Sequence, residues 1–341
     1  MKKTLFLATL AVFAFVFTAC DGGSNPDVVN TKLFPAMDAS GDKWGYINEK
    51  GEMVLPAIYD KALNFTCGYA LVETDYISYF IDDKGNKQEA SFDSAMPFYY
   101  NYSVVFLNNR FGLLGTNFDF AIEPSMVRLG TMGDNGLVCA KREDGAKWEY
   151  VNAKGETKID AEFDGADNFK GGLAIIYVGD QCGAIDKDGK YLIEPSSQLG
   201  LINLDEGLVA NYDFSAQKWS VLDKNGKTIV EPTFNDISAV SDGLIAVSGD
   251  NGCGFLNTKG ELVIPEMYAQ VRSFSEGYAW VTESHSGPFK CIDKKNNEIF
   301  SLNTGDTPTT DFLNGLALVQ TSTGGKYVGT DGQVIYEWGN N

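Results

Sequence analysis

The sequence predicts an all-β repeat protein, and three observations support this. Strand-and-turn patterns recur about every 34 to 37 residues along the chain. Each period contains a short hairpin with a glycine in its turn, followed by a third strand that begins after a second glycine. Apolar residues do not recur at the spacing of an amphipathic helix, so we expect almost no helix. The 37 glycines, 22 phenylalanines and 16 tyrosines fit tight turns and aromatic strands.

The clearest copy of the hairpin occupies residues 43–56, KWGYINEKGEMVLP. Aromatic and apolar residues alternate from Trp44 to Ile47, and a turn containing Gly51 reverses the chain. Pro56 is predicted to end the returning strand because its nitrogen cannot donate a hydrogen bond to a neighbour. The turn residue recurs at Gly51, Gly85, Gly155, Gly189, Gly226, Gly260 and Gly332, with Asn297 as a substitute and a degraded copy at 117–119.

A third strand follows each hairpin and has its own signature. An apolar residue, such as Phe65 or Phe274, comes three positions before a glycine that opens an alternating strand. Before it, an aromatic residue is followed by a small polar one, as in Tyr59-Asp60. A fixed period with three strands indicates a repeat array in which each unit buries one face against its neighbours. The glycines are Gly68, Gly136, Gly172, Gly207, Gly243, Gly277 and Gly315.

These motifs resemble those of the WG-repeat family, whose units combine a K-W-G hairpin, a proline-containing strand and an F-x-x-G-x-A-x-V strand. The resemblance covers about residues 33 to 338, and the first copy, residues 43–72, fits closely. The Trp-Gly pair itself varies: cysteine replaces tryptophan before Gly183 and Gly254, while Trp148 and Trp219 lack the glycine. This variation favours a packing role for the pair over a ligand site.

The N-terminal sequence predicts a lipoprotein. Residues 1–19 combine Lys2 and Lys3 with an apolar run too short to span a bilayer, as in a signal peptide. Cys20 after small residues is similar to a bacterial lipobox, so we expect lipid attachment at Cys20; cleavage nearby without lipidation is the alternative. Residues 20–31 are expected to form a flexible tether, and residues 32–338 the repeat domain. We expect a bacterial envelope location, with the outer membrane or cell surface favoured.

The ends of the repeat region suggest a ring. Residues 32–38 occupy a third-strand place before the first hairpin, and residues 326–336 form a hairpin without a third strand after it. The leftover strand is predicted to complete the leftover hairpin, which would close a β-propeller-like ring of about nine three-stranded units. An open β-solenoid is the alternative.

The charge of the chain argues against nucleic acid as a partner. The formal net charge is −19, and it becomes about −21 without Lys2 and Lys3. Phosphate binding needs a basic face that this composition does not provide. The acidic residues fall mostly in predicted turns, where solvent exposure explains them.

Catalytic and metal-binding patterns are weak. His285, the one histidine, falls in a predicted connector, and we expect no chemical role for it. The nearest calcium-like sequence starts at Asp186, but its Gly189 comes fourth instead of sixth, so a hairpin turn explains it. Cys139, Cys182 and Cys253 fall in predicted strands and are interpreted as small buried side chains. We therefore expect no catalytic residues, no metal and no cofactor.

The sequence favours a non-enzymatic binding or scaffold protein whose ligand is a protein or a glycan. Tyr99, Tyr100 and Tyr102 form an unusual cluster where the regular glycine signature is lost, and such rings can stack on sugars. Packing of the tyrosines within a degraded repeat is the simpler explanation. The alternatives are a glycan-processing hydrolase with two carboxylates, one of raised pKa, and a purely structural spacer.

Overall fold

Residues 31–339, which the computed structural model describes, form 34 strands in nine antiparallel sheets. The sheets are arranged in a ring, so the fold is a nine-bladed β-propeller. No helix in this range is long and apolar enough to cross a membrane. The predicted all-β class and closed ring are confirmed, whereas the proposed signal peptide and Cys20 lie outside the described residues.

The blades are numbered along the chain, and most contain a short first strand and three longer ones. Blade 1 consists of β1 (Phe34–Met37), β2 (Trp44–Ile47) and β3 (Met53–Tyr59). Blade 2 consists of β4 (Lys61–Ala62), β5 (Ala70–Thr74) and β6 (Ile77–Ile81). Blade 3 consists of β7 (Ser94–Ala95), β8 (Tyr102–Leu107), β9 (Arg110–Gly115) and β10 (Phe120–Met126). Blade 4 consists of β11 (Arg128–Leu129), β12 (Leu137–Lys141), β13 (Trp148–Asn152) and β14 (Thr157–Phe163). Blade 5 consists of β15 (Gly165–Ala166), β16 (Ala174–Val178), β17 (Gln181–Ile185) and β18 (Tyr191–Ser196). Blade 6 consists of β19 (Leu201–Asp205), β20 (Leu208–Asp213), β21 (Lys218–Asp223) and β22 (Thr228–Phe234). Blade 7 consists of β23 (Asp236–Ser241), β24 (Leu244–Ser248), β25 (Cys253–Asn257) and β26 (Leu262–Tyr268). Blade 8 consists of β27 (Gln270–Val271), β28 (Tyr278–Thr282), β29 (Lys290–Asp293) and β30 (Glu298–Ser301). Blade 9 consists of β31 (Thr307–Pro308), β32 (Leu316–Gln320), β33 (Gly325–Gly329) and β34 (Val334–Trp338).

The returning strand does not end at Pro56 as predicted, because β3 continues to Tyr59 after an irregularity in its register with β2. The grouping of strands into units also differs from the prediction. Each predicted third strand pairs with the hairpin that follows it, as β5 does with β6 and β1 with β2. Seven of the nine sheets also have a fourth strand, which is only two residues long in several blades. The last blade is complete within the chain, so the predicted exchange of β1 onto the C-terminal hairpin is wrong.

The first strand of a four-stranded blade lies nearest the axis of the ring. β19 and β23, the first strands of blades 6 and 7, contact each other. The pKa of Tyr99 in blade 3 is raised mainly by burial and by Tyr100, but also by Asp205 in blade 6. Blades 3 and 6 are three positions apart in the ring, and two such blades come close to each other only near the axis. The turn that joins the first and second strands therefore lies at the inner edge.

The core consists of apolar layers between adjacent blades. One cluster joins Tyr150 and Phe163 of blade 4 to Phe169 and Ile176 of blade 5, and similar clusters join blades 6 and 7 and blades 7 and 8. Burial of apolar surface in such layers stabilises each blade, which would be marginal alone. The predicted dependence of each unit on its neighbours is confirmed.

The hairpin glycine is required by these layers. Gly51, Gly85 and Gly155 have φ values of +77°, +81° and +76°, a left-handed conformation that favours glycine. The turn also packs on the fourth strand of the preceding blade, as Gly155 does beside Ile122. In blade 8 the left-handed residue is Asn296, with φ of 66°, so the predicted substitute Asn297 is displaced by one position.

The Trp-Gly pair has a packing role. A Cβ at Gly45 would lie 2.5 Å from the carbonyl oxygen of Leu55, and one at Gly183 would lie 2.7 Å from that of Ile193. The irregular register of the next strand brings this backbone close. Blade 4 lacks the glycine, and its buried Glu149 is instead held by Arg142.

The small polar residue after the aromatic one braces consecutive blades. Asp60 accepts a hydrogen bond from Lys43 of the first blade and from the backbone amide of Asp75. Asp164 accepts equivalent bonds from Lys147 and from the amide of Gly179. The repeated Lys and Asp of the sequence motif are thus explained by structure.

Candidate functional site

The turns between first and second strands form an inner edge that we call the axial rim. Carboxylates link neighbouring turns here: Asp134 accepts a hydrogen bond from the amide of Gly172 at 3.2 Å, and Asp242 accepts one from that of Gly277 at 2.6 Å. Many rim carboxylates therefore have structural partners. The turns are residues 66–68, 99–101, 134–136, 170–172, 205–207, 241–243, 275–277 and 313–315.

Tyr99 and Tyr100 change the character of the rim in blade 3. They are half-buried, and their rings meet edge to face with centroids 4.8 Å apart. The turn is tight: Tyr99 and Tyr102 exchange backbone hydrogen bonds, and Tyr100 and Asn101 have φ values of 48° and 66°. Asn101 supplies the left-handed conformation that glycine has elsewhere. The rim thus carries an aromatic pair at this turn.

The tyrosine pair lies in a negative field. Burial raises the pKa of Tyr99 to about 12, with contributions from Tyr100, Asp205 and Asp134. Burial and the charges of Asp134 and Asp205 also raise the pKa of Tyr100. Both phenols therefore stay protonated and can donate hydrogen bonds at neutral pH.

The two aspartates were not identified from the sequence as partners of the tyrosines. They belong to blades 4 and 6, and each occupies the position of Tyr99 in its own turn, two residues before the glycine or Asn101. Aligning the repeats on this glycine would have placed all three on one rim. The narrow radius that brings them together is a property of the ring.

Two buried polar atoms lie in the turns on either side of the tyrosines. Thr66 Oγ1 in blade 2 and Asn135 Nδ2 in blade 4 have no hydrogen-bond partner among residues 31–339. Unsatisfied buried groups are costly and are uncommon in native proteins. Their position beside the aromatic pair marks this sector of the rim as polar and unusual.

The third tyrosine of the cluster has a packing role. Tyr102 begins β8 and packs with Tyr100 on a core cluster containing Val104, Leu113 and Met132. The cluster predicted from sequence is therefore divided between core packing and the rim. Tyr99 and the outer part of Tyr100 are the candidates for ligand contact.

Asp167 is the other distinctive titratable group on the inner surface. Its side chain is exposed, yet enough protein surrounds it that desolvation raises its pKa. It is the one described carboxyl group whose pKa is raised; the other shifted carboxyl groups are lowered. A carboxyl of raised pKa is one part of what the hydrolase hypothesis requires.

The hairpin turns use their carboxylates internally. Asp186 accepts hydrogen bonds from the amides of Asp188 and Lys190, both at 3.0 Å, and Asp223 does the same with Asn225 and Lys227. This arrangement explains the calcium-like spacing as a turn. Within residues 31–339 no cluster of three or more His, Cys, Asp or Glu residues could hold a metal ion.

The remaining predicted residues have structural surroundings. His285 is exposed in the connector between β28 and β29. Cys139 and Cys182 are buried, and Cys253 is partly buried, which agrees with their interpretation as small strand residues. Burial raises the pKa of the Cys139 thiol to about 12, so it is a poor nucleophile at neutral pH.

The comparison with solved structures gives matches of low sequence identity, and the first of those that follow, with a TM-score above 0.5, supports the fold. The crystal structure of a eukaryotic initiation factor matches with a TM-score of 0.53 and 8% identity, covering 81% of this chain and 89% of that one. Dihydro-heme d1 dehydrogenase NirN matches with a TM-score of 0.42 and 12% identity, covering 83% and 75%. Hsv2p of Kluyveromyces lactis matches with a TM-score of 0.40 and 8% identity, covering 68% and 92%. The comparison with curated protein sequences gives no match.

The comparison with protein families identifies the repeats themselves. The family described as WG containing repeat matches residues 44–76, 150–182, 219–252 and 254–283. The first match runs from β2 of blade 1 through β5 of blade 2, so the sequence repeat is offset from the blade. The predicted resemblance to the WG-repeat family is confirmed at these four places.

Proposed function

We propose that this protein is a non-enzymatic binding scaffold of the bacterial cell envelope, anchored through a lipid on Cys20, whose axial rim binds a basic segment of a partner protein. The lipobox-like sequence supports the anchor, and the outer membrane or cell surface is the favoured location. The observation that carries the binding role is the Tyr99–Tyr100 pair at the inner rim, within the field of Asp134 and Asp205.

The electrostatics of the rim favour a cation over a neutral ligand, although Lys170 pairs with Asp205 at 3.2 Å and offsets part of its charge. The face of an aromatic ring attracts a lysine or arginine side chain, and this attraction adds to that of nearby carboxylates. The net charge of −19 also attracts basic partners over longer distances at low salt. A glycan could stack on the same rings but would gain nothing from the negative field. A protein partner is therefore favoured, and a glycan is the other outcome of the test.

The test uses the mature chain with Cys20→Ser, which allows work without detergent. Immobilised protein is exposed to lysine- and arginine-rich peptides, matched acidic peptides and neutral oligosaccharides. Basic peptides should bind in a salt-sensitive manner, and Tyr99→Ala should weaken binding at least about tenfold, or about 1.4 kcal/mol. Asp205→Asn, which keeps the side-chain shape, should weaken it less and reduce the salt dependence.

The matched control is Tyr76→Ala. Tyr76 is 96% exposed and lies in the turn between β5 and β6, at the opposite end of its blade from the rim. Its removal should leave peptide binding unchanged. Equal losses in both tyrosine variants, or binding of oligosaccharides instead of basic peptides, would contradict the proposal.

A further inference from the structure

A cavity of about 300 Å³ lies between blades 7 and 8, away from the axial rim. Asp236 at the start of β23, Ser248 at the end of β24 and Cys253 at the start of β25 form one wall. These three residues lie at the end of blade 7 opposite the turn that contributes to the rim. Arg272 and Ser273 of blade 8 form part of the other wall. Its volume falls at the lower end of the usual range for small-molecule sites.

At the cavity, blade 7 carries small side chains where most other blades carry larger ones. Ser248 is the residue of β24 that pairs with the first residue of β23. The residues at the corresponding position of other blades are larger: Glu73, Phe106, Lys141, Tyr177, Thr282 and Gln320.

The difference in side-chain size is larger for the residue pair that joins the second and third strands of the blade. In blade 3 this pair is Phe106 and Phe111, with centroids 4.9 Å apart, and in blade 6 it is Tyr212 and Trp219, 5.1 Å apart. In blade 7 the same pair is Ser248 and Cys253. The cavity thus lies where blades 3 and 6 each place two aromatic rings, and a ring-sized ligand has the matching dimensions.

The polar groups of the cavity are partly unused. Arg272 donates from Nε to Asp311 at 2.7 Å, and its Nη atoms donate to the carbonyl oxygens of Pro308 and Thr309. A guanidinium has five N–H groups, so two remain free. Among the described residues, the hydroxyls of Ser248 and Ser273 make no hydrogen bond, and Asp236 uses one carboxylate oxygen, which accepts from the Ile237 amide.

These groups determine the class of ligand. The ion pair with Asp311 neutralises Arg272, so the cavity does not favour a strong anion. The free groups are a mixture of donors and acceptors, and a sugar hydroxyl can satisfy both kinds because it donates and accepts. Ala246, Val247 and Val271 supply apolar surface for the carbon skeleton of a ring. We propose that this cavity binds a neutral saccharide unit of about monosaccharide size.

The experiment uses the mature chain and a panel of free monosaccharides and disaccharides, with small primary amines and carboxylates as comparison probes. Saturation-transfer NMR and calorimetry measure binding. At least one neutral sugar should bind saturably, and Asp236→Asn should weaken it about tenfold because a charge-assisted hydrogen bond is lost.

The decisive variant fills the cavity. Ser248→Tyr combined with Cys253→Trp copies the Tyr212–Trp219 pair, which blade 6 already accommodates, so the variant should fold with undiminished thermal stability and lose sugar binding. Tyr99→Ala on the opposite face should bind the sugar as wild type does, which separates this site from the rim. Binding that survives the filling variant, binding of amines or carboxylates instead of sugars, or binding of no sugar at all would overturn the proposal.

Discussion

Two junctions of the ring each place a hairpin glycine against the last strand of the preceding blade, although the chain crosses only one of these junctions. Between blades 3 and 4, which are continuous in sequence, the turn at Gly155 packs on Ile122. Between blades 9 and 1, which we call the seam, the turn at Gly51 packs on Ile335. The ends of the chain thus meet through the interface that each blade makes with its neighbour.

Tyrosine hydrogen bonds and an aromatic contact also hold the seam, where the chain is not continuous. The hydroxyl of Tyr327 donates to the carbonyl oxygen of Pro35 at 2.9 Å, and that of Tyr336 donates to Met37 at 2.9 Å. Trp44 and Trp338 meet edge to face with centroids 6.2 Å apart. Side-chain packing and tyrosine hydrogen bonds therefore hold the two ends of the ring together.

The largest expected difference between the junctions comes from Gly51→Ala and Gly155→Ala. The φ values of the two glycines are nearly equal, so both variants incur about 1 kcal/mol for an alanine in the left-handed region. At Gly155 the nearest atom to a new Cβ is Ile122 Cγ1 at 3.7 Å, which is ordinary contact. At Gly51 the Cβ would lie closer than 3.0 Å to the Ile335 carbonyl oxygen. Gly51→Ala should therefore cost about 2 kcal/mol more.

Urea denaturation of both variants measures this difference in the free energy of unfolding. Hydrogen exchange should show that amides of β1 and β34 lose protection first in Gly51→Ala. Equal losses in the two variants would mean that the seam packs no more tightly on Gly51 than the continuous junction packs on Gly155.

A smaller effect is expected from removing single hydroxyls. Tyr327→Phe deletes the bond to Pro35 across the seam, and Tyr46→Phe deletes the equivalent bond to Leu63, at 2.8 Å, between blades 1 and 2. Each leaves a carbonyl without its partner and should cost about 1 kcal/mol of unfolding free energy. Thermal and chemical denaturation should give equal losses if the seam is as well formed as a continuous junction. Tyr76→Phe, at an exposed ring, should change nothing, and a loss confined to Tyr46→Phe would indicate an open seam.

The features predicted from the sequence are those encoded within a repeat or at its ends. The number of units follows from the period, whereas closure was predicted from a strand exchange between the two ends that the structure does not contain. The division into blades was not predictable, because strands such as β4 have only two residues and leave no alternation to detect. Asn296 was mistaken for its neighbour Asn297 because two adjacent asparagines are equally compatible with the turn.

The candidate sites also divide into residues that the sequence pattern predicts and residues whose position depends on the folded ring. Tyr99 and Tyr100 were found because they interrupt a pattern, which is visible in one dimension. The approach of Asp205 depends on the radius of the ring, and the cavity at Ser248 depends on which residues pair across strands. Neither quantity is contained in the period of the repeat, although comparing aligned positions between blades would have shown that blade 7 has small residues at Ser248 and Cys253.

The smallest expected effect is a difference between the junctions in how much stability they lose in acid. The Lys43 side chain and the Asp75 amide hold the pKa of Asp60 below its ordinary value, and Lys147 and the Gly179 amide do the same for Asp164. A carboxyl whose pKa is lowered on folding stabilises the fold above its unfolded pKa of about 3.9, and this contribution is lost as the pH falls through the folded value.

Acid should therefore weaken these braced junctions, whereas the tyrosine and tryptophan contacts across the seam contain no carboxylate. Asp60→Asn combined with Asp164→Asn should lose less stability than wild type between about pH 5 and pH 2.5, because the titrating groups are gone. The effect will be modest, since both ion pairs are solvent-exposed. Urea midpoints across this pH range provide the measurement, with Asp83→Asn as the control because the Asp83 carboxylate makes no ion pair or hydrogen bond to described residues. An unchanged acid profile in the double variant, or the same flattening in the control, would show that acid acts elsewhere than on the Lys–Asp braces.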